Sequence, residues 1–222
     1  MLFSEENVKA NIRNREGKRV FYLRPEDTLT PSARDWLTRE RIEILPAQEA
    51  QPQEYVLENG AIFQEKPENY THLRGNVLVP KSHPVIAFRG AVDSLQAELL
   101  LAQQAVPEKF RADVGEVLQL ARNLIRWDVL EETAQLGKLW GLTEAELRKR
   151  SHDPVSYYGV AHFAPSCTDS PALLQVNRAR CAARAAELAA VHAYPQRTDL
   201  LQAANRLSSA LYLIMIRLKA DR

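Results

Sequence analysis

Two arginines four residues apart, Arg122 and Arg126, are the first side chains of this sequence that invite a chemical reading. In a helix that spacing puts both guanidinium groups on one face, where each can grip phosphate oxygens two at a time. Asn123 and Asp128 stand beside them, and Asp93 follows the run Phe88-Arg89-Gly90-Ala91-Val92 in the first turns of an earlier helical pattern. A third polar set, Asn205, Ser208, Ser209 and Tyr212, runs along a flank of the last helical pattern. A fold that joined these three helices would hold a polar pocket with charges of both signs. The same residues also read as solvated flanks carrying an ordinary surface ion pair, and spacing alone leaves both readings open.

Other reactive residue types form weaker sets. His72, His83, Cys167 and Cys181 match no metal-ligand spacing, and there is no CxxC, so no metal site is predicted. Ser82-His83 and Ser151-His152 are sequence neighbours, whereas a nucleophilic triad needs adjacency in space. The eight glycines form neither GxxxxGK nor GxGxxG. With 29 basic and 28 acidic residues, net +1, the chain has no global field to attract nucleic acid or an anionic membrane. Any anion site must be local, built from a few aimed Lys or Arg side chains. No stretch of about 18 apolar residues is present to span a membrane. Met1 to Arg19 lacks the apolar core of a signal peptide, and two isolated cysteines fit a cytoplasmic location.

The elements that would position these residues fall into two parts. Val20-Phe21-Tyr22-Leu23 reads as a strand, Thr30 caps a helix with Pro31 at its first position, and Ile42-Glu43-Ile44-Leu45 alternates like a second strand. Pro46 to Pro67 reads as a linker with a hairpin signal at Asn59-Gly60. From Phe88 onward apolar stripes recur at helical spacing. They include Val92, Leu95 and Leu99, then Val114, Val117, Leu118, Ala121 and Leu124, and finally Leu200, Ala204, Leu207, Leu211 and Leu218. A short helix opens at Thr143 with Glu146 placed for a capping box, and a long one crosses Leu173 to His192. The connections Leu136 to Trp140 and Ser151 to Ser170 are irregular. The predicted fold is mainly α, a four- or five-helix bundle (residues 65–222) behind a small N-terminal α/β unit and linker (residues 1–64).

Three segments, in order, carry a family resemblance. The run Lys81-Ser82-His83-Pro84-Val85-Ile86-Ala87-Phe88-Arg89-Gly90-Ala91-Val92-Asp93 resembles the cobalamin adenosyltransferases of the propanediol- and ethanolamine-utilisation types. Those proteins carry a Lys, two polar residues, a short apolar strand ending in Gly, then an Asp opening a helix. Ala121-Arg122-Asn123-Leu124-Ile125-Arg126-Trp127-Asp128 resembles the family's arginine helix, and Asn205-Arg206-Leu207-Ser208 its Asn-Arg-Leu-Ser signature on the last helix. The ethanolamine-utilisation branch is the nearer one, through Leu29-Thr30-Pro31-Ser32-Ala33-Arg34, Gly141-Leu142-Thr143-Glu144, Ser151-His152-Asp153-Pro154 and the stretch Leu173 to Arg178. The chain departs from the family in three places. Gln64 to Thr71 lacks the cysteine-rich metal motif of some members, the N-terminus lacks the propanediol branch's Gly-Asp phosphate loop, and Trp127 stands where that branch has another Arg.

The resemblance implies a reaction in which Co(I) of a reduced cobalamin attacks C5′ of ATP and expels triphosphate. By the same resemblance Lys81 and Arg126 contact the triphosphate, with Mg²⁺ sharing its oxygens, and Arg122 and Asp93 form a buried ion pair. Asn205 binds the nucleotide, Arg206 reaches phosphate or a neighbouring subunit, and Arg89 is counted among the cofactor-binding residues. Phe110, with Phe88 second, is expected to displace the corrinoid's lower ligand. The family also implies a homotrimer, a flavin-dependent reductase as partner, and work near an ethanolamine-degrading microcompartment. The competing reading is a non-enzymatic corrinoid carrier or microcompartment adaptor on the same fold.

Overall fold

The computed structural model describes residues 1–47 and 54–221, so the middle of the expected linker lies outside the described residues. The chain divides into two compact units, Met1–Ile86 and Ala87–Arg222.

In the first unit β1 (Leu2–Phe3) and β4 (Thr28–Leu29) pair in parallel, with α1 (Glu5–Ala10), β2 (Arg13–Arg15) and β3 (Lys18–Leu23) between them in the chain. β3 runs parallel to β5 (Glu43–Pro46), and the connection is α2 (Pro31–Arg39), as parallel strands require a crossover. Thr30 accepts the Ala33 N–H and Pro31 occupies the first turn, so this helix starts where the sequence says it must. Ala33, Trp36 and Leu37 of α2 close over Val8, Phe21 and Ile42 in one small core.

A second sheet of this unit, in the order β7-β6-β9-β8, is built from β6 (Tyr55–Leu57), β7 (Ile62–Phe63), β8 (Tyr70–Arg74) and β9 (Val77–Pro80). The hairpin signal at Asn59-Gly60 is the β6–β7 turn, where Gly60 has φ +86°. The compact unit therefore extends to Ile86, past the expected boundary at residue 64, because the supposed linker contributes strands. Asn76, nearly buried, joins the pieces: its side chain receives the Asn14 N–H and donates to the carbonyls of Asn14 and Glu54.

The second unit is helical. α3 (Pro84–Ala105), which begins at the end of the first unit, and α4 (Glu108–Val129) form one antiparallel hairpin. α7 (Pro171–Ala193) and α8 (Thr198–Ala220) form another, with α5 (Glu144–His152) and α6 (Pro154–Tyr158) between the pairs in sequence. The segment expected as a short apolar strand ending at Gly90 is helical from Pro84; proline at a first helical position needs no N–H partner, so the helix can start there. α5 has the expected Thr143/Glu146 capping box, and Asp153 ends α5 and caps α6 within the connection read as irregular.

One apolar core fills the bundle. It includes Phe88, Val92, Leu95 and Leu99 of α3, Val114, Val117, Ala121 and Leu124 of α4, and Leu200, Leu207, Leu211 and Ile214 of α8. Each fully buried Leu or Phe contributes roughly 1.5–3 kcal/mol. α7 presents Ala179, Ala183, Ala186 and Ala190 to this core, all fully buried. Methyl side chains at that spacing let the α7 and α8 backbones pack closely. No helix among the described residues is long and apolar enough to cross a membrane.

Candidate functional site

One end of the bundle is organised around Asp128, a carboxylate with no solvent exposure. Arg89 Nε of α3 donates to its Oδ2 at 2.5 Å, and the Tyr194 hydroxyl, from the residue that caps α7, donates to Oδ1. Phe88 meets the Tyr194 ring edge-on at 5.8 Å. Close by, Arg197 Nη2 donates to the Glu132 carbonyl at 2.7 Å and to Asp199 Oδ2 at 2.8 Å, while Asp199 also accepts the Ala134 N–H. The Arg197 guanidinium holds the Asp199 carboxyl far below the usual carboxylate range, helped by backbone donors, and Asp199 raises Arg197 in return. Arg89, expected to touch cofactor, thus serves this buried tie between α3, α4 and the α7–α8 turn.

The expected buried pair of Asp93 and Arg122 is not made within the chain. Both side chains are exposed, and neither has an ion-pair partner among the described residues. Each follows directly after a core position, Val92 and Ala121, and so points about 100° away from the apolar stripe. Arg126 is exposed as well and pairs with Glu132 at 3.3 Å. Lys81 lies in the first unit, exposed, 3.0 Å from Glu68, whose carboxyl it holds below its ordinary value. Phe110 lines an open cavity together with Lys109, Tyr158 and Arg217. It is 4% exposed within the core, under the cations of Lys109 and Arg217. It also lies sixteen residues from Arg126 along α4, about 24 Å by the helical rise. Phe88, the second choice, is fully buried. Both fall on the apolar stripes of their helices, which accounts for their burial.

The α7–α8 edge assembles what the α4 face does not. Asn205 Nδ2 donates to Glu187 Oε1 on α7 at 2.5 Å, and Asn205 Oδ1 accepts from Arg206 Nη2. Arg206 is 9% exposed and faces Glu144 at 3.4 Å, so it is held inside the unit. The two helices run antiparallel, so stepping one turn from the Asn205–Glu187 contact brings Arg184 level with Ser208. A second turn brings Arg180 level with Tyr212. Arg180 donates to Asn177, whereas Arg184 is exposed with no polar partner among the described residues. The edge therefore offers two guanidinium groups four residues apart, facing an amide and hydroxyls. Arg180 and Arg184 were missed in the sequence because they sit in an alanine-rich run, yet their spacing is the one that drew attention to Arg122 and Arg126.

Cys167 and Cys181 are exposed and free. Among the described residues no group of three His, Cys, Asp or Glu is placed to hold a metal ion.

Comparison with known proteins gives this arrangement a context. Residues 62–218 match the sequence profile described as cobalamin adenosyltransferase. The corrinoid adenosyltransferase EutT of Salmonella typhimurium is 28% identical, over 96% of this chain and 90% of its own length. EutT of Escherichia coli K12 is 27% identical over the same shares. Two single-residue variants of the PduO-type ATP:corrinoid adenosyltransferase from Lactobacillus reuteri, both complexed with cobalamin and ATP, share the fold. One has TM-score 0.54 and 17% identity, covering 69% of this chain and 90% of its own; the other has TM-score 0.55 and 17% identity, covering 69% and 87%. Since the profile takes in nearly all of the helical unit together with β7, β8 and β9 of the first, the chain belongs to the cobalamin adenosyltransferase family.

Proposed function

We propose that the protein is an ATP:corrinoid adenosyltransferase, which moves the 5′-deoxyadenosyl group of MgATP to the Co(I) centre of a reduced corrinoid and releases triphosphate. The observation that carries this reading is the family match over residues 62–218. Co(I) is itself a strong nucleophile. The protein's task is to hold cobalt in line with C5′ and to stabilise charge on the departing triphosphate.

The α7–α8 edge is suited to the second task. Arg184 and Arg180 would take phosphate oxygens, with Asn205 on the nucleotide; Mg²⁺ would enter with the phosphates. Arg126 and Lys81 are further phosphate contacts on the strength of the family resemblance. Asp93 and Arg122 are a carboxylate and a guanidinium left exposed on the single chain, available to pair between copies, which fits a homotrimer with nucleotide sites between subunits. The EutT relatives support a role in ethanolamine utilisation; work near a microcompartment in the cytoplasm and a flavin-dependent reductase supplying Co(I) rest on the family resemblance alone.

Anaerobic spectroscopy of cob(I)alamin with MgATP tests the proposal. The wild type should consume the Co(I) band and yield adenosylcobalamin, and Arg184→Ala should slow that conversion about a hundredfold without disturbing the fold. A wild type that leaves Co(I) unchanged while still binding adenosylcobalamin would overturn the transferase and leave a carrier.

A further inference from the structure

The connection between α6 and α7 carries a polar aromatic cluster that the transferase reading leaves unused. His162 is exposed, yet both ring nitrogens are engaged: Nε2 lies 3.2 Å from the His152 carbonyl oxygen and Nδ1 2.7 Å from the Tyr212 hydroxyl. The His162 and Tyr212 rings are parallel to within 4°, and Phe163 lies against Tyr212 at 6.3 Å. Tyr212 belongs to α8, two turns beyond Asn205 on the same flank.

These contacts set the direction of one proton. A carbonyl oxygen can only accept, so Nε2 of the neutral ring carries the hydrogen and Nδ1 is the acceptor. Tyr212 must then donate its O–H to His162, and its oxygen is left with lone pairs alone for a ligand on this flank of α8. Such an oxygen accepts from an N–H donor. Phe163 and Tyr212 are only partly buried against the bundle core, which leaves part of each ring for an extended macrocycle.

We infer that His162 is a positioning residue for corrinoid binding, holding the Tyr212 hydroxyl so that its oxygen accepts from a peripheral carboxamide of the corrinoid while Tyr212 and Phe163 lie against the macrocycle. The inference rests on the transferase reading and names where its second substrate is recognised. Adenine also carries an N–H donor, so the two substrates must be told apart by experiment.

The test is steady-state adenosylation at varied cob(I)alamin and varied MgATP, for wild type, His162→Ala, Tyr212→Phe, the double variant and His162→Asn. The Oδ1 of the asparagine can stand in for Nδ1 as acceptor. Losing one neutral hydrogen bond should raise the KM for cob(I)alamin about fivefold in either single variant. The KM for ATP should stay within about twofold, the double variant should be no worse than Tyr212→Phe, and His162→Asn should restore most of the affinity. Three outcomes would overturn the inference: a change confined to the KM for ATP, a His162→Ala effect that persists undiminished in the Tyr212→Phe background, or variants indistinguishable from wild type. An inactive wild type would instead sink the transferase reading, which separates the two failures.

Discussion

Replacing Asp128 by alanine removes the acceptor at which Arg89 and Tyr194 meet, and the size of the effect follows from the burial of the three groups. Asp128 is fully buried, whereas the Arg89 side chain is 21% exposed. Breaking a buried pair by removing one member costs about 3–5 kcal/mol, mostly through the charge left behind. Because Arg89 retains some access to water, the lower end applies, about 3 kcal/mol. Tyr194→Phe removes one hydrogen bond to a charged acceptor and should cost about 1.5–3 kcal/mol. Guanidinium titration followed by far-UV circular dichroism reports mainly on the bundle, where all the long helices lie. In thermal melts the Asp128→Ala shift should be roughly 10 °C. Asp128→Asn should fall between wild type and alanine, since the amide can still accept but leaves the guanidinium uncompensated. A loss below about 1 kcal/mol for Asp128→Ala would refute the reasoning, because it would mean that Arg89 finds water as easily without it.

Acid should separate Asp199→Asn from wild type. Because the Asp199 carboxyl is depressed in the folded protein, its stabilising contribution is present above about pH 4 and is lost as pH falls toward the folded value. Wild-type stability should therefore drop more steeply below pH 4 than that of the variant, as read from denaturant midpoints across pH. Gly75→Ala should destabilise the N-terminal unit by about 2 kcal/mol or more: Gly75 has φ +50°, and an added Cβ would fall 1.8 Å from the Ile12 carbonyl oxygen. Proteolysis confined to that unit would reveal the loss. Phe110→Ala should cost about 3–5 kcal/mol of bundle stability, whereas the volume-conserving Phe110→Leu should keep the KM for cob(I)alamin close to wild type; a large rise in that KM would return Phe110 to the corrinoid site.

Local chemistry was legible in the sequence and long-range pairing was not. Thr30-Pro31 and Thr143 with Glu146 announce their helices because a cap and its partner lie within one turn of chain. The sheet of β6 to β9 escaped notice because its strands are two to five residues long, and an irregularity between His72 and Arg74 breaks the alternation in β8. In the candidate site, Asn205 stands out by its signature, while its partners Glu187 and Arg206 show only in the fold. Arg89 and Arg206 have internal partners, Asp128, Asn205 and Glu144, that residue type alone does not announce. Arg180 and Arg184 became visible only once α7 lay beside α8.

The alanine row of α7 fixes a width. With Ala179, Ala183, Ala186 and Ala190 facing the interior, the distance between the arginine line of α7 and the Asn205 line of α8 is set by methyl groups. Methyls have no alternative rotamers through which to adjust. Sequence drift along this edge can then alter what is gripped only by exchanging the outward side chains, Arg for Lys or Asn for Gln, and never by sliding the helices apart. Over evolutionary time the edge behaves as a jaw of constant gauge, in which new specificities arise by changing the teeth.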